Sequence, residues 1–151
     1  MYKSSDLASQ FIELAPLMIR KVKAEIRLAA QGRITHPQFR ILANINRGSN
    51  TVSQIALDHG VSQPGMSKMV DVLVVKGFIK RTVQAKDRRQ VVLKLSTKGL
   101  SLFKGLKKEA AENLGLKLKQ LPPLEQKYLA EALLHLDRIL KLLRQASEDS
   151  L

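Results

Sequence analysis

The chain has 151 residues, 44% of them hydrophobic, and a formal net charge of +13. That length and composition suit one domain with a real core and exclude a disordered tail. The absence of cysteine excludes disulfides, thiolate metal sites and thiol redox sensing. No apolar run approaches the roughly 18 residues of a membrane helix, and the N-terminus has no signal pattern, so a cytoplasmic protein without membrane contact is expected.

Residues 5–30 read as a long amphipathic helix with Leu7, Phe11, Leu14, Met18, Val22, Ile26 and Ala29 at helical spacing, ended by Gln31-Gly32. Thr35 to Gln38 has the form of a capping box and opens a helix carrying Phe39, Leu42 and Ile45, which stops near Arg47-Gly48. Thr51 to Gln54 repeats that form before a short helix with Val52, Ile55 and Ala56 on its buried side. Gly60 stands where a left-handed residue ends a helix, and Ser62 caps the next helix two residues later. Val61 and Met66 occupy the positions of a hydrophobic staple. Two helices about so short a glycine-containing turn make a helix-turn-helix, and Gly77 closes the second near Lys76.

Two strands follow, with Ile79 and Val83 in the first and Val91, Leu93 and Leu95 in the second alternating with polar residues, joined by a turn over 84–89. Ser96 or Thr97 starts a helix reaching about Leu121, with Leu100, Phe103, Leu106, Ala110, Leu114 and Leu118 along one stripe. Pro122-Pro123 breaks it, and a last amphipathic helix runs from about Leu124 to Ala146. The expected fold is mostly α with a small β wing, a winged helix-turn-helix lobe over 35–99, a connecting helix over 97–121 and long terminal helices over 5–32 and 122–146. The terminal helices have apolar faces broader than one small lobe needs, which predicts a homodimer built from both termini; packing within one subunit is the other use of such faces.

Charge is concentrated. Lys76 to Lys108 holds eleven basic residues and one acid, Asp87, whereas the other 118 residues hold fifteen basic and twelve acidic ones. Charge so localised points to a polyanion rather than to a generally soluble surface. A recognition helix followed by a basic hairpin is the pattern of a module that grips double-stranded DNA.

The arrangement resembles the MarR family of transcription regulators along almost the whole chain. The residues that carry the resemblance are Thr35, Leu42, Ile55-Ala56, Gly60, Val61-Ser62-Gln63, Asp71, Leu73 and Gly77, then Asp87-x-Arg89 and Leu95-Ser96-x-x-Gly99, similar to that family's L-T-x-x-G. It departs at Val72, where the family usually has a basic residue, and at Val74 and Val75, positions where the family often has charged residues. Extra packing and a ligand-lined wall both suit so apolar a rear to the helix.

On this reading Ser62 to Lys68 faces the major groove. Gln63 can pair with adenine, Lys68 can reach guanine or phosphate, Pro64 and Gly65 permit close approach, and Ser67 can bond a base or a phosphate. Thr51 and Ser53 lie at a helix start that suits phosphate oxygens, although Thr51 and Ser62 are also simple caps. Lys80, Arg81, Lys86 and Lys94 are expected at phosphates, and Arg88 at phosphate or Asp87. The resemblance makes Arg89 the minor-groove residue, with Asp87 bracing an arginine. It also implies release by a small aromatic or phenolic effector, for which Met18, His36, Phe39 and Arg40 are candidates, although Phe39 is more often a core residue and His36 sits in a capping segment.

No cofactor is expected. The three histidines have no metal-ligand spacing, and neither a phosphate loop nor a catalytic triad can be assembled, so an enzyme is not expected. The rival reading is an architectural DNA binder indifferent to sequence. A partner-binding adaptor using Val72, Val74 and Val75 is the third, and the basic wing counts against it.

Overall fold

The computed structural model describes residues 3–83 and 91–148. Its elements in chain order are α1 (Ser4–Ala30), α2 (His36–Asn46), α3 (Val52–His59), α4 (Gln63–Val75), β1 (Ile79–Val83), β2 (Val91–Leu95), α5 (Thr97–Leu118) and α6 (Pro123–Glu148). The two strands form one antiparallel ribbon with Ile79 opposite Leu95 and Val83 opposite Val91. Helices with a small β wing are the architecture the sequence pattern predicts. The chain divides into two compact units, one up to Ala111 and one from Glu112.

The first unit is built around one core. Ile41, Leu42, Ile55, Met66, Val70, Leu73, Ile79 and Leu93 are all at most 2% exposed. They come from α2, α3, α4 and the ribbon, so the lobe surrounds its own hydrophobic centre. Helix α1 enters that core only through its last turns, at Glu25, Ile26, Ala29 and Ala30. Burial at about 25 cal/mol per Å² of apolar surface makes this cluster the principal stabilising term of the lobe.

Local sequence sets each boundary. At α2 the capping box is complete: the Thr35 hydroxyl accepts from the Gln38 N–H at 3.4 Å, and the Gln38 side chain accepts from the Thr35 N–H at 3.0 Å. At α3 only half of the box forms. Thr51 Oγ1 accepts from the Gln54 N–H, but its hydroxyl donates to Gln54 Oε1, so that side chain does not reach back to the Thr51 backbone. Gly60 has φ of 65° and turns the chain between α3 and α4, a conformation that costs glycine nothing. Ser62 then caps α4 by accepting from the Gly65 N–H. The staple is incomplete: Met66 is wholly buried, but Val61 remains 42% exposed.

The strands also depart from simple alternation. Val83 and Val91, expected inward, form an exposed cross-strand pair at the outer end of the ribbon, beyond the reach of the core. Val92 and Leu93 are both buried, Val92 locally and outside the main cluster. The Leu93 N–H donates to the Asn50 carbonyl at 2.7 Å, which ties the segment before α3 to β2.

The start of α5 explains the glycine in Leu95-Ser96-x-x-Gly99. Ser96 Oγ accepts from the Gly99 N–H at 2.9 Å and donates to the Gly77 carbonyl at 2.6 Å. A Cβ at Gly99 would stand 2.0 Å from the Phe78 carbonyl oxygen, so only glycine lets this turn close on the entry to β1. The second unit holds the end of α5, a short turn and α6. Gln126 Nε2 donates to the Leu121 carbonyl across that turn. None of the described side chains of α6 is buried.

Candidate nucleic-acid interface

Helix α4 divides its faces sharply. Met66, Val70 and Leu73 point into the core, leaving Gln63, Pro64 and Lys68 exposed and Gly65 and Ser67 half-buried. The Ser62 cap leaves the first turn of α4 as an exposed row of short and polar residues, suited to close approach by a groove. Thr51 is half-buried and committed to capping α3, whereas Ser53, in the first turn of that helix, is exposed.

The ribbon adds the cations. Lys80 stands directly opposite Lys94, and both are exposed. Like charges directly opposite on a ribbon destabilise it, so this pair favours the approach of an anion. Arg81 is placed differently from the expectation. Its Nη2 lies 2.7 Å from Asp71 Oδ1 on α4, so it makes an ion pair within the lobe. Lys86, Asp87, Arg88 and Arg89 lie outside the described residues.

The four residues expected at an effector site have different surroundings. Phe39 packs against the core, its ring tilted on Phe103 at 5.3 Å between centroids, so it is a packing residue. Met18 is exposed on α1. Arg40 Nη2 donates to the Asp58 carbonyl. His36 alone lines a cavity of about 320 Å³, with Lys23, Arg27, Ile34, Thr35 and Pro37. Burial first, then Arg40 and Lys23, hold the His36 imidazole below its ordinary value. Burial, then Arg40, lower His59 too, against the opposing effect of Asp58. Both rings therefore favour the neutral form.

Two features escaped the sequence reading. The Asn44 side chain, buried on α2, donates to Asp58 Oδ2 at 3.2 Å and accepts from Arg47, which joins α2 to the end of α3. The pairing of Asp71 with Arg81 is the other. Its signal is present in the sequence: Asp71 is the only carboxylate between Asp58 and Asp87. Among the described residues no group of acidic residues or histidines could hold a metal ion, and no helix is long and apolar enough to cross a membrane.

Comparison with known proteins agrees with this geometry. The family model described as MarR family matches residues 34–91, a span running from the start of α2 to the start of β2. The uncharacterised HTH-type transcriptional regulator YfiV of Bacillus subtilis is 34% identical over 106 residues, which cover 70% of this chain and 66% of the relative. The chain thus spans just under two thirds of that relative's length. Among solved structures, RV1404 from Mycobacterium tuberculosis superposes with a TM-score of 0.74 at 22% identity, over 92% of this chain and 95% of that one. Wild-type MarR from E. coli, in its apo form, gives 0.69 at 22% identity, over 90% and 98%. At these identities the two structures establish the fold.

Proposed function

The chain belongs to the MarR family of winged helix-turn-helix transcription regulators, and from that premise we propose that it binds a pseudo-palindromic operator as a homodimer and represses transcription. The observations that carry the reading are the exposed Gln63, Pro64 and Lys68 at the start of α4 and the exposed Lys80–Lys94 pair on the ribbon. Two like charges held face to face are costly in the free protein and favourable against a phosphate backbone. Gln63, Pro64 and Lys68 then read the major groove, Ser67 and Ser53 support them, and Lys80 and Lys94 anchor phosphates. In the wing, Lys86 is assigned to phosphate, Arg88 to phosphate or Asp87, and Arg89 to the minor groove. The family's regulators carry no enzymatic activity in this scheme; the chemistry is binding alone.

The dimer rests on the terminal helices. Leu7, Phe11, Leu14 and Met18 on α1 and Leu133, Leu140 and Leu143 on α6 are large apolar side chains left about half exposed. A second copy is the natural cover for such faces, and two recognition helices then lie about one duplex turn apart. The cavity at Lys23, Arg27 and His36 is the place for a small aromatic anion to act on the lobe and release DNA.

Fluorescence anisotropy at near-physiological salt tests the reading, with DNA from upstream of the chain's own coding region against a scrambled duplex. The expected result is preference for the upstream DNA, with affinity falling steeply with salt as about six to ten phosphates are neutralised. Release on adding a small aromatic carboxylate such as benzoate would support the effector role. Equal binding to both duplexes, and to every duplex recovered by selection from a random library, would replace a specific regulator by an architectural DNA binder.

A further inference from the structure

Helix α4 carries an acid where a DNA-reading surface should have none. Ser67 and Lys68 precede Asp71 by four and three residues, so all three belong to one side of the helix. Asp71 is exposed there, and a free carboxylate beside phosphates is repelled. Its partner comes from another element. Arg81 is the third residue of β1, and its position in the ribbon is opposite Leu93. Directly paired residues share a face of the ribbon, and Leu93 and Ile79 on that face are buried. Arg81 thus occupies the inward row, turned toward the lobe, where an apolar residue would continue the pattern. It meets Asp71 at 2.7 Å.

The ion pair contributes little to folding. Its side chains are 38% and 52% exposed, and solvent screens so exposed a pair. It does connect the two elements that must enter DNA together, α4 and the strand leading into the wing. We propose that Asp71 and Arg81 form a clamp that sets the angle between recognition helix and wing, making both positioning residues for operator recognition. The clamp rests on the proposed function, since it has a purpose only if α4 and the wing bind DNA at once. It neutralises the one acid of the reading face and fixes geometry in the same contact. An arginine suits the task, because its planar guanidinium holds a carboxylate in a defined orientation.

The clamp makes an electrostatically counterintuitive prediction. Asp71→Asn removes a negative charge, which by charge alone strengthens binding to any DNA. The clamp predicts weaker binding to the operator instead. The assay uses the full chain and two duplexes, an operator recovered by selection from a random library and a scrambled duplex of equal length. The expected result for Asp71→Asn is a fall of about tenfold in the operator-to-scrambled affinity ratio, the size of one coupled interaction, with scrambled-DNA affinity unchanged or higher. Arg81→Gln should lower the ratio by a similar factor, and the double variant no further.

Operator affinity in Asp71→Asn equal to or above wild type would overturn the clamp. So would equal loss on both duplexes in Arg81→Gln with additive behaviour in the double variant, the signature of a plain phosphate contact. Should a neutral variant melt early, the exchanged pair D71R/R81D takes its place: recovery of the ratio relative to D71R supports the clamp, and no recovery overturns it. A wild-type chain without operator preference removes the specific regulator and the clamp with it. Preference retained in Asp71→Asn removes the clamp alone.

Discussion

Helices α2 and α6 are equally amphipathic, yet their fates differ. Helix α2 buries Ile41, Leu42, Asn44 and Ile45, whereas α6 buries none of its described side chains, with Leu133, Ile139, Leu140 and Leu143 about half exposed. Helix α1 shows both fates at once. Its last turns enter the lobe core, and its earlier apolar residues from Leu7 to Val22 remain exposed. An apolar stripe says that a helix needs a partner; it does not say that the partner lies in the same chain. The lobe buries its core within one chain, while these apolar side chains of the terminal helices stay about half exposed.

The difference can be broken most directly by cutting one residue from each region. Leu73 is wholly buried among α2, α3, α4 and the ribbon. Leu73→Ala should cost about 2–5 kcal/mol, seen as a fall in melting temperature that does not change with protein concentration. Leu140→Asp, on the exposed stripe of α6, should leave the lobe folded and reduce the mass in solution to one subunit. Unfolding that depends on concentration in wild type and not in Leu140→Asp would sharpen the contrast. A wild-type mass of one subunit at micromolar concentration would break it, and the paired half-sites of the operator would go too.

A smaller effect is expected where the lobe closes on itself at Gly99. A methyl group there meets the Phe78 carbonyl oxygen, which is backbone and cannot swing away. Gly99→Ala should therefore cost about 1–3 kcal/mol, as an overpacked core site does. The circular dichroism melt of this variant reads the cost. A melt like that of wild type would show that the first turn of α5 can shift away from β1.

Much of this lobe is legible in the chain because its signals are local. Thr35 with Gln38, Ser62, Gly60 and Gly77 act within a few residues of themselves, and each sits where its pattern predicts. The misreadings involve partners far along the sequence. Alternation in β2 predicts Val91 inward, but where the core ends is set by helices elsewhere, and Val91 is exposed. Phe39, read both as core and as a ligand wall, meets its partner Phe103 only 64 residues later in the numbering. Arg81 reads as a phosphate cation because nothing local reveals that ribbon register turns it toward Asp71. The candidate DNA face is more legible than the effector site: it follows from one helix and one ribbon, while a cavity needs several elements placed together.

Capping offers a finer test of the lobe's self-sufficiency. The Ser62 hydroxyl satisfies the Gly65 N–H at the start of α4, the end expected at the groove. Ser62→Ala should cost about 1 kcal/mol and lower DNA affinity in addition if the exposed hydroxyl also meets a phosphate. Ser62→Asp keeps the cap but adds a negative charge, so it should melt like wild type and bind DNA less well. Equal affinity for Ser62→Asp and wild type would confine Ser62 to capping.

The smallest expected effect is acid sensitivity of the lobe. His36 and His59 both have pKa values held below the ordinary 6.5, chiefly by burial and next by Arg40, with Lys23 adding to the effect at His36. The folded lobe therefore takes up protons less readily than the unfolded chain. Stability falls wherever the unfolded state binds more protons and the pH is lowered. The contribution is fully present above pH 6.5 and is lost as the pH falls from there through the folded values. His36→Gln with His59→Gln should flatten this slope in denaturant titrations between about pH 7 and 5, a window set by the ordinary imidazole value. Both rings lie in the first unit, so the slope should persist in Leu140→Asp. A slope that vanishes in Leu140→Asp would instead trace the acid response to the association of two copies.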